Sequence, residues 1–369
     1  MQFVGTADLK VGMRLARPIY NKQGVLLFER DSKLTAQTID SVKNFGLLGV
    51  YILEPAEPLP PMSEEDLEFE RFQIATGFSI QDELEKILST KSQSRINNIA
   101  AMILKKYGYL DERVTFYQNL RGRDDFVCRH CLNTAIFCAM ITHVMNVRVD
   151  EQYQIVYAAL THDIGKLLVP ADVLFGQDDP EGSQRERIYQ SQMTGLDVLD
   201  LALREGSAVK RICTQALRAW REFETEGQVN PNTKLNLAAK ILIVANRYDE
   251  LTAMSLQGNS KSEVMAIQEF LDHPEIYAPE VVNALLKSVN ILFPGVSVEL
   301  STGQKALVVT ENADNILKPI VLTFGDNTLL DLGLWDNRDI QVVDIMKTLD
   351  NRYIMSSDAL QQNMPDEQS

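Results

Sequence analysis

The chain is predicted to be mainly α: a central all-α helical bundle flanked by a small N-terminal α+β domain and a small C-terminal β-rich domain. Three features point there. Apolar residues recur at helical spacing from about residue 70 to 288; the period switches to two after Phe293-Pro294-Gly295; and the first ~55 residues mix both patterns around turn-forming residues. The 369 residues, 45% apolar and 24% charged, suit a soluble protein of two or three domains with a full-sized core. A net charge of −15 disfavours long-range attraction of nucleic-acid polymers or anionic lipid.

The N-terminal domain is assigned to residues 1–55. Met13 to Tyr20 and Val25 to Phe28 are strand-like, and they flank the turn-forming Asn21-Lys22-Gln23-Gly24. Thr35 can cap a short helix carrying Ile39, Val42 and Phe45 on one side, with Gly46 near its end. Gly49 to Leu53 closes the domain as a strand. Residues 56–75 read as a linker, stiff with Pro58, Pro60 and Pro61 and acidic at Glu64-Glu65-Asp66, a run suited to a solvated helix start.

The helical domain is assigned to residues 76–290. Ile96, Ile99, Ala100, Ile103 and Leu104 share one helical face, as do Leu132, Ala135, Ile136, Ala139 and Met140, and later Ile155, Val156, Ala159 and Leu160. From 291 to 345, Val296, Val298 and Leu300 alternate with polar residues before the turn Ser301-Thr302-Gly303-Gln304. Strands are expected at Ala306–Thr310, Pro319–Phe324 and Leu329–Leu332, and residues 346–369 form a polar tail. No apolar run approaches the roughly 20 residues that span a bilayer, and the first residues carry no visible secretory signal. Four cysteines, three of them within residues 128–138, do not form a disulfide framework, which points to a reducing cytoplasm. Cys128 and Cys131 make one CxxC without a second pair, better read as buried thiols than as structural zinc.

The chemistry-bearing residues centre on Leu160-Thr161-His162-Asp163-Ile164-Gly165-Lys166. An imidazole beside a carboxylate at the end of an apolar helix can grip a divalent metal. A Gly-Lys step just after it can bring a backbone turn and an ammonium to a phosphate. His130 sits near the start of a helix about thirty residues earlier, one helical hairpin away. Alone it reads as a packing residue, but a hairpin can bring it to the His162-Asp163 pair. Lys166 has the plainer reading of a surface lysine, and His143 and His273 lack matching partners and read as surface residues.

His130, Thr161 through Pro170, and Ala238 through Thr252 together resemble an HD-GYP domain, a branch of the HD metal-dependent phosphohydrolases whose bacterial members hydrolyse cyclic di-GMP. Leu9 to Met13 with Gly24 to Leu27 is similar to the small N-terminal domain of such proteins, and Phe293-Pro294-Gly295 onward to their C-terminal β segment. The resemblance implies an HD-type bundle with His130, His162, Asp163 and Asn246 at the metal positions and Lys166 at a phosphate. Asp249 matches an aspartate usually outside the metal's ligands, although a rotated helix would let it replace Asn246.

Departures from the family pattern are extensive. Phe126 stands where a glutamate is common, Ser191 where a histidine opens a helix, and Ala216 and Leu217 where the family has two histidines. The Gly-Tyr-Pro element is absent from the stretch anchored on Trp220, Asn246 replaces the aspartate that closes the metal site, and Ser255 to Asn259 replaces an arginine-rich stretch. Three good ligands can hold one Mn, Fe or Zn ion, or the site holds none, but a bridged cluster is hard to build from them. Even losses outside the ligand set typically cost ~10–100-fold in affinity or activity.

The implied function is therefore a degenerate HD-GYP-like signalling module, non-catalytic or weakly active, with a protein partner and a cyclic dinucleotide as candidate ligand. The alternative is an active one-metal phosphohydrolase, in which Asp163 and Lys166 take part in catalysis. Lys166 with Arg218 or Arg221 offers phosphate contacts for nucleotide binding without hydrolysis. The oligomeric state is not set by the sequence.

Overall fold

The computed structural model describes residues 2–21, 25–53, 64–92, 94–116, 118, 121–176, 182–203, 207–230, 233–253 and 260–346. The expected turn residues 22–24, the proline-rich part of the linker at 54–63, the stretch at 255–259 and the tail from 347 lie outside them.

Near the N-terminus, β1 (Gln2–Gly5), β5 (Gly49–Leu53) and β2 (Arg14–Leu15) form an antiparallel sheet in the order β1-β5-β2, while β3 (Ile19–Tyr20) pairs with β4 (Leu26–Phe28). The run 13–20, expected as one strand, is two short ones. Arg17-Pro18 interrupts it, because proline has no N–H for a ladder. Helix α1 (Ala36–Asn44) starts as expected, with Thr35 Oγ1 accepting from Thr38 N at 3.1 Å. Ile39 and Val42 are buried, but Phe45 caps the helix and is exposed. Leu15, Leu34, Val42 and Val50 form the centre of this module's own small core.

Helix α2 (Glu64–Thr90) begins inside the expected linker. Residues 64–75 are its first turns because Phe69 already faces the core, packed edge-on against Tyr107 and Phe116. After α3 (Ile96–Tyr107) comes the central hairpin, α4 (Phe126–Val144) and α5 (Val149–Thr161). Every residue of α4 from Val127 to Thr142 is buried, so it is covered on all sides, as an axial helix must be. A 3-10 turn, Ile164–Leu168, and the short α6 (Ala171–Leu174) lead to α7 (Ser183–Ala202) and α8 (Ala208–Glu226). Then come α9 (Leu237–Thr252), α10 (Glu263–Asp272) and α11 (Pro279–Ser288). Ser207, Asn236 and Ser262 cap α8, α9 and α10 through their side chains.

Five antiparallel strands follow: β6 (Ser297–Leu300), β7 (Lys305–Thr310), β8 (Ile320–Thr323), β9 (Leu329–Asp331) and β10 (Val342–Ile345), in the order β10-β6-β7-β8-β9. Strand β10 was not expected. The buried Val298, Leu300, Ala306, Val308 and Val321 belong to the same apolar cluster as the bundle. No helix among the described residues is long and apolar enough to cross a membrane.

Two glycines position the turn after the His-Asp pair. A Cβ at Gly165 would collide with the Ser191 carbonyl oxygen and Gln192 Cα, and one at Gly195 would collide with Gly165 itself. The close approach that Gly165 permits is therefore to helix α7, where the sequence suggested a phosphate. Gly165→Ala and Gly195→Ala are expected to lose about 1–3 kcal/mol of stability in urea unfolding, the usual range for overpacking. Gly325→Ala, which meets open space, is expected to stay within about 0.5 kcal/mol of the parent.

Candidate metal centre and its cavity

The hairpin brings His130, in the second turn of α4, against His162, which caps the end of α5, and Asp163. The three are the one group of metal-competent side chains of this kind found among the described residues. His130 Nε2 and His162 Nε2 are 3.3 Å apart, and Asp163 Oδ2 is 3.6 Å from each. A triangle with those edges has a centre about 2 Å from every corner, which is the length of a Zn–N or Zn–O bond. The donors thus fit one divalent ion. Asn246, from α9, points its terminal Oδ1 at both rings, 2.8 Å from His130 Nε2 and 2.7 Å from His162 Nε2.

Asp249 does not join this group. It lies three residues beyond Asn246 on α9 and accepts from His130 Nδ1 at 2.6 Å, so it orients the ring from behind. The rotated-helix option is thereby excluded: Asn246, not Asp249, meets the Nε2 atoms. Asp249 is fully buried and its other contacts are equally specific. One terminal nitrogen of Arg121 donates to both carboxylate oxygens at 2.7 Å, and Asn133 Nδ2 donates to Oδ1 at 2.8 Å. Gln118 extends the network, accepting from Asn133 at 3.1 Å and donating to Thr252 at 2.8 Å. Burial alone would raise the Asp249 carboxyl, but Arg121 and His130 outweigh it and hold it well below the usual range. Burial would likewise lower His130, yet the hydrogen bond and charge of Asp249 raise it overall. For His162 burial wins and the ring is held below its ordinary value.

Sequence reasoning missed Arg121, Gln118 and Asn133. The available signal was spacing: Asn133 lies three residues after His130 on one helix, and Asp249 is an unexplained acid on an apolar one.

Lys166 is part-buried, not a free surface lysine, and its Nζ is 2.5 Å from Asp163 Oδ2 and 4.0 Å from Glu250. Burial would lower its pKa, but those two carboxylates raise it above the ordinary lysine range. Asp163 Oδ1 accepts from Gln192 Nε2 at 2.6 Å. Burial would raise this carboxyl too, but Lys166 and the two histidines hold it below the carboxylate range. Ser191 is turned away, donating to the Gly165 carbonyl at 2.8 Å.

A cavity of about 450 Å³ opens over these groups, a size typical of small-molecule sites. Its wall includes Phe126, Ala216, Leu217 and Trp220, with Arg247 placed over the Trp220 ring at 4.9 Å. Arg221 also lines it, bonded to Glu186 at 2.8 Å, whereas Arg218 is exposed and outside the lining. His143 pairs with Asp111 at 3.0 Å and His273 with Glu275 at 3.1 Å, both away from the cavity.

No protein-family model matches the chain, and no curated protein matches it. Among solved structures the chain is similar to Bd1817, a HDG"Y"P protein from Bdellovibrio bacteriovorus, at 13% identity and a TM-score of 0.45. The match covers 77% of this chain and 97% of that one.

Arg121→Ala would leave the Asp249 carboxylate buried without its cation, and is expected to cost about 3–5 kcal/mol in urea unfolding. All four cysteines are free and buried, and burial pushes each thiol well above its ordinary value. A thiol-titrating reagent is expected to register none of the four in the native protein at neutral pH and all four after denaturation.

Proposed function

We propose that the chain is a degenerate HD-GYP-like regulatory module, non-catalytic or weakly active, acting in cytoplasmic signalling. It holds a cyclic dinucleotide or related phosphoester in the cavity and passes that state to a protein partner. The carrying observation is the donor set: two imidazoles and one carboxylate, with Lys166 already engaged by that carboxylate. A bridged pair of ions needs several further charged or imidazole donors. Ser191 faces a backbone carbonyl, Gln192 offers an amide, and Ala216 and Leu217 offer only hydrocarbon. A cavity kept open beside a reduced donor set supports ligand binding over turnover. Its mixed lining of aromatic rings and guanidinium groups suits a planar anion.

A second reading is favoured by one observation, the near-2 Å fit of three donors to a common centre. In it His130, His162, Asp163 and Asn246 hold a single Mn, Fe or Zn ion, and Lys166 reaches a phosphate oxygen. Such an ion supplies Lewis acidity and a water of lowered pKa. Asp249 keeps His130 in the orientation that ligation requires, and the apolar wall restricts water.

The two readings separate in one experiment. Purified protein is loaded in turn with Mn, Fe and Zn, its metal content is measured, and cyclic di-GMP hydrolysis is followed. The regulatory reading expects turnover that is absent or only residual, and no further loss in His162→Ala. Stoichiometric metal with turnover that His162→Ala abolishes would establish the enzyme instead.

A further inference from the structure

We infer that the cavity recognises its ligand through a flat nitrogen heterocycle of the nucleobase class, stacked on the Trp220–Arg247 pair, rather than through phosphate charge. This rests on the regulatory reading above and deepens it, because it names the part of the ligand that the wall reads.

Trp220, from α8, and Arg247, from α9, form one contiguous surface in that wall. The Arg247 guanidinium carbon lies 4.9 Å from the centre of the Trp220 ring, and both side chains line the cavity while only half-buried. Both are held in place. Trp220 packs against Phe223 and Tyr277, with ring centres 5.6 and 6.5 Å apart. Arg247 Nε donates to Glu269 Oε1 at 3.0 Å, and Nη1 to Glu250 Oε2 at 3.3 Å. Glu269, from α10, also accepts from Lys261 at 2.6 Å and from the Tyr277 hydroxyl at 3.3 Å. The next residue of α8 repeats the arrangement: Arg221 lies over the Tyr189 ring of α7 at 5.6 Å while bonded to Glu186.

Those ion pairs decide what the surface can read. Lys166, Arg121, Arg221 and Arg247 each already meet a carboxylate. A phosphate would have to compete with that carboxylate at each of them, and a net charge of −15 adds no attraction. Stacking does not compete. A guanidinium makes its hydrogen bonds in its own plane, so they do not use the faces on which a ring stacks. Glu224 and Glu250 also line the cavity. Their oxygens can accept from the N–H groups of a heterocycle, which a hydrocarbon ring lacks.

The experiment uses the full chain carrying Trp335→Phe. Trp335 is 76% exposed and is one of two tryptophans in the sequence, so Trp220 then becomes the sole tryptophan reporter. Guanosine and adenosine supply the ring without phosphate, and ribose 5-phosphate supplies phosphate without the ring. Binding is followed by Trp220 fluorescence and by calorimetry. At least one nucleoside is expected to bind saturably, quench Trp220, and bind at least ~10-fold more tightly than ribose 5-phosphate. Arg247→Lys keeps a charge for Glu250 and Glu269 but removes the planar group. It is expected to weaken nucleoside binding by ~5–100-fold with the circular dichroism unchanged. Absence of nucleoside binding overturns the inference, as does binding that leaves Trp220 fluorescence unchanged. So does Arg247→Lys that folds and binds the nucleoside as the parent does. Should that variant fail to fold, the ranking of ligands and the quench in the Trp335→Phe protein decide the matter. Ribose 5-phosphate binding as tightly as the nucleosides overturns the ring site alone. Metal-dependent turnover of cyclic di-GMP that His162→Ala abolishes overturns the regulatory reading and leaves the ring site standing.

Discussion

The fully buried Asp249 carboxylate is the constraint on which the site depends. A charge so placed is tolerable only when every lone pair is met. Arg121, Asn133 and His130 meet them, and each comes from a different stretch of structure or a different turn of α4. Satisfying Asp249 therefore sets the rotation of α9 against α4, and with it the placement of Asn246 beside the rings. Such pairs add little net stability over apolar packing, but they specify one arrangement, because any other leaves a charge unpaired.

The same network joins the site to the N-terminal module. Arg121 is buried by its side chain, but its backbone carbonyl accepts from Leu48 N at 3.1 Å, and Arg123 N donates to Gly46 at 3.2 Å. Arg17 donates to the Gln118 carbonyl at 2.8 Å. The segment that holds Asp249 from one side is thus held by the small domain on the other.

On the other flank, the turn after Asp163 is pressed directly onto α7, glycine to glycine. That contact carries Gln192 to Asp163 and turns Ser191 toward a carbonyl. Above it the cavity remains open, walled by hydrocarbon and by aromatic and guanidinium groups. The charges at its floor are mutually compensated: Lys166 with Asp163, Arg121 with Asp249.

Much of the architecture was legible in the chain itself. Period 3.6 through the middle and period 2 after residue 295 identify the bundle and the sheet, and Thr35 marks the start of α1, because these are local consequences of side-chain spacing and capping. The start of α2 inside the presumed linker was less visible, since Phe69 declares itself only when Tyr107 and Phe116 arrive to cover it. For the site, the residue types at 130, 162, 163 and 246 were readable. What only the tertiary structure decided is direction. It turned Lys166 onto Asp163, assigned Asp249 to the back of His130, spent Gly165 on helix packing, and brought the Asn246 side chain to both Nε2 atoms. Those outcomes depend on how segments pack together, with Gly165 meeting α7 and Arg121 meeting Asp249 across 128 positions, and no local pattern encodes them.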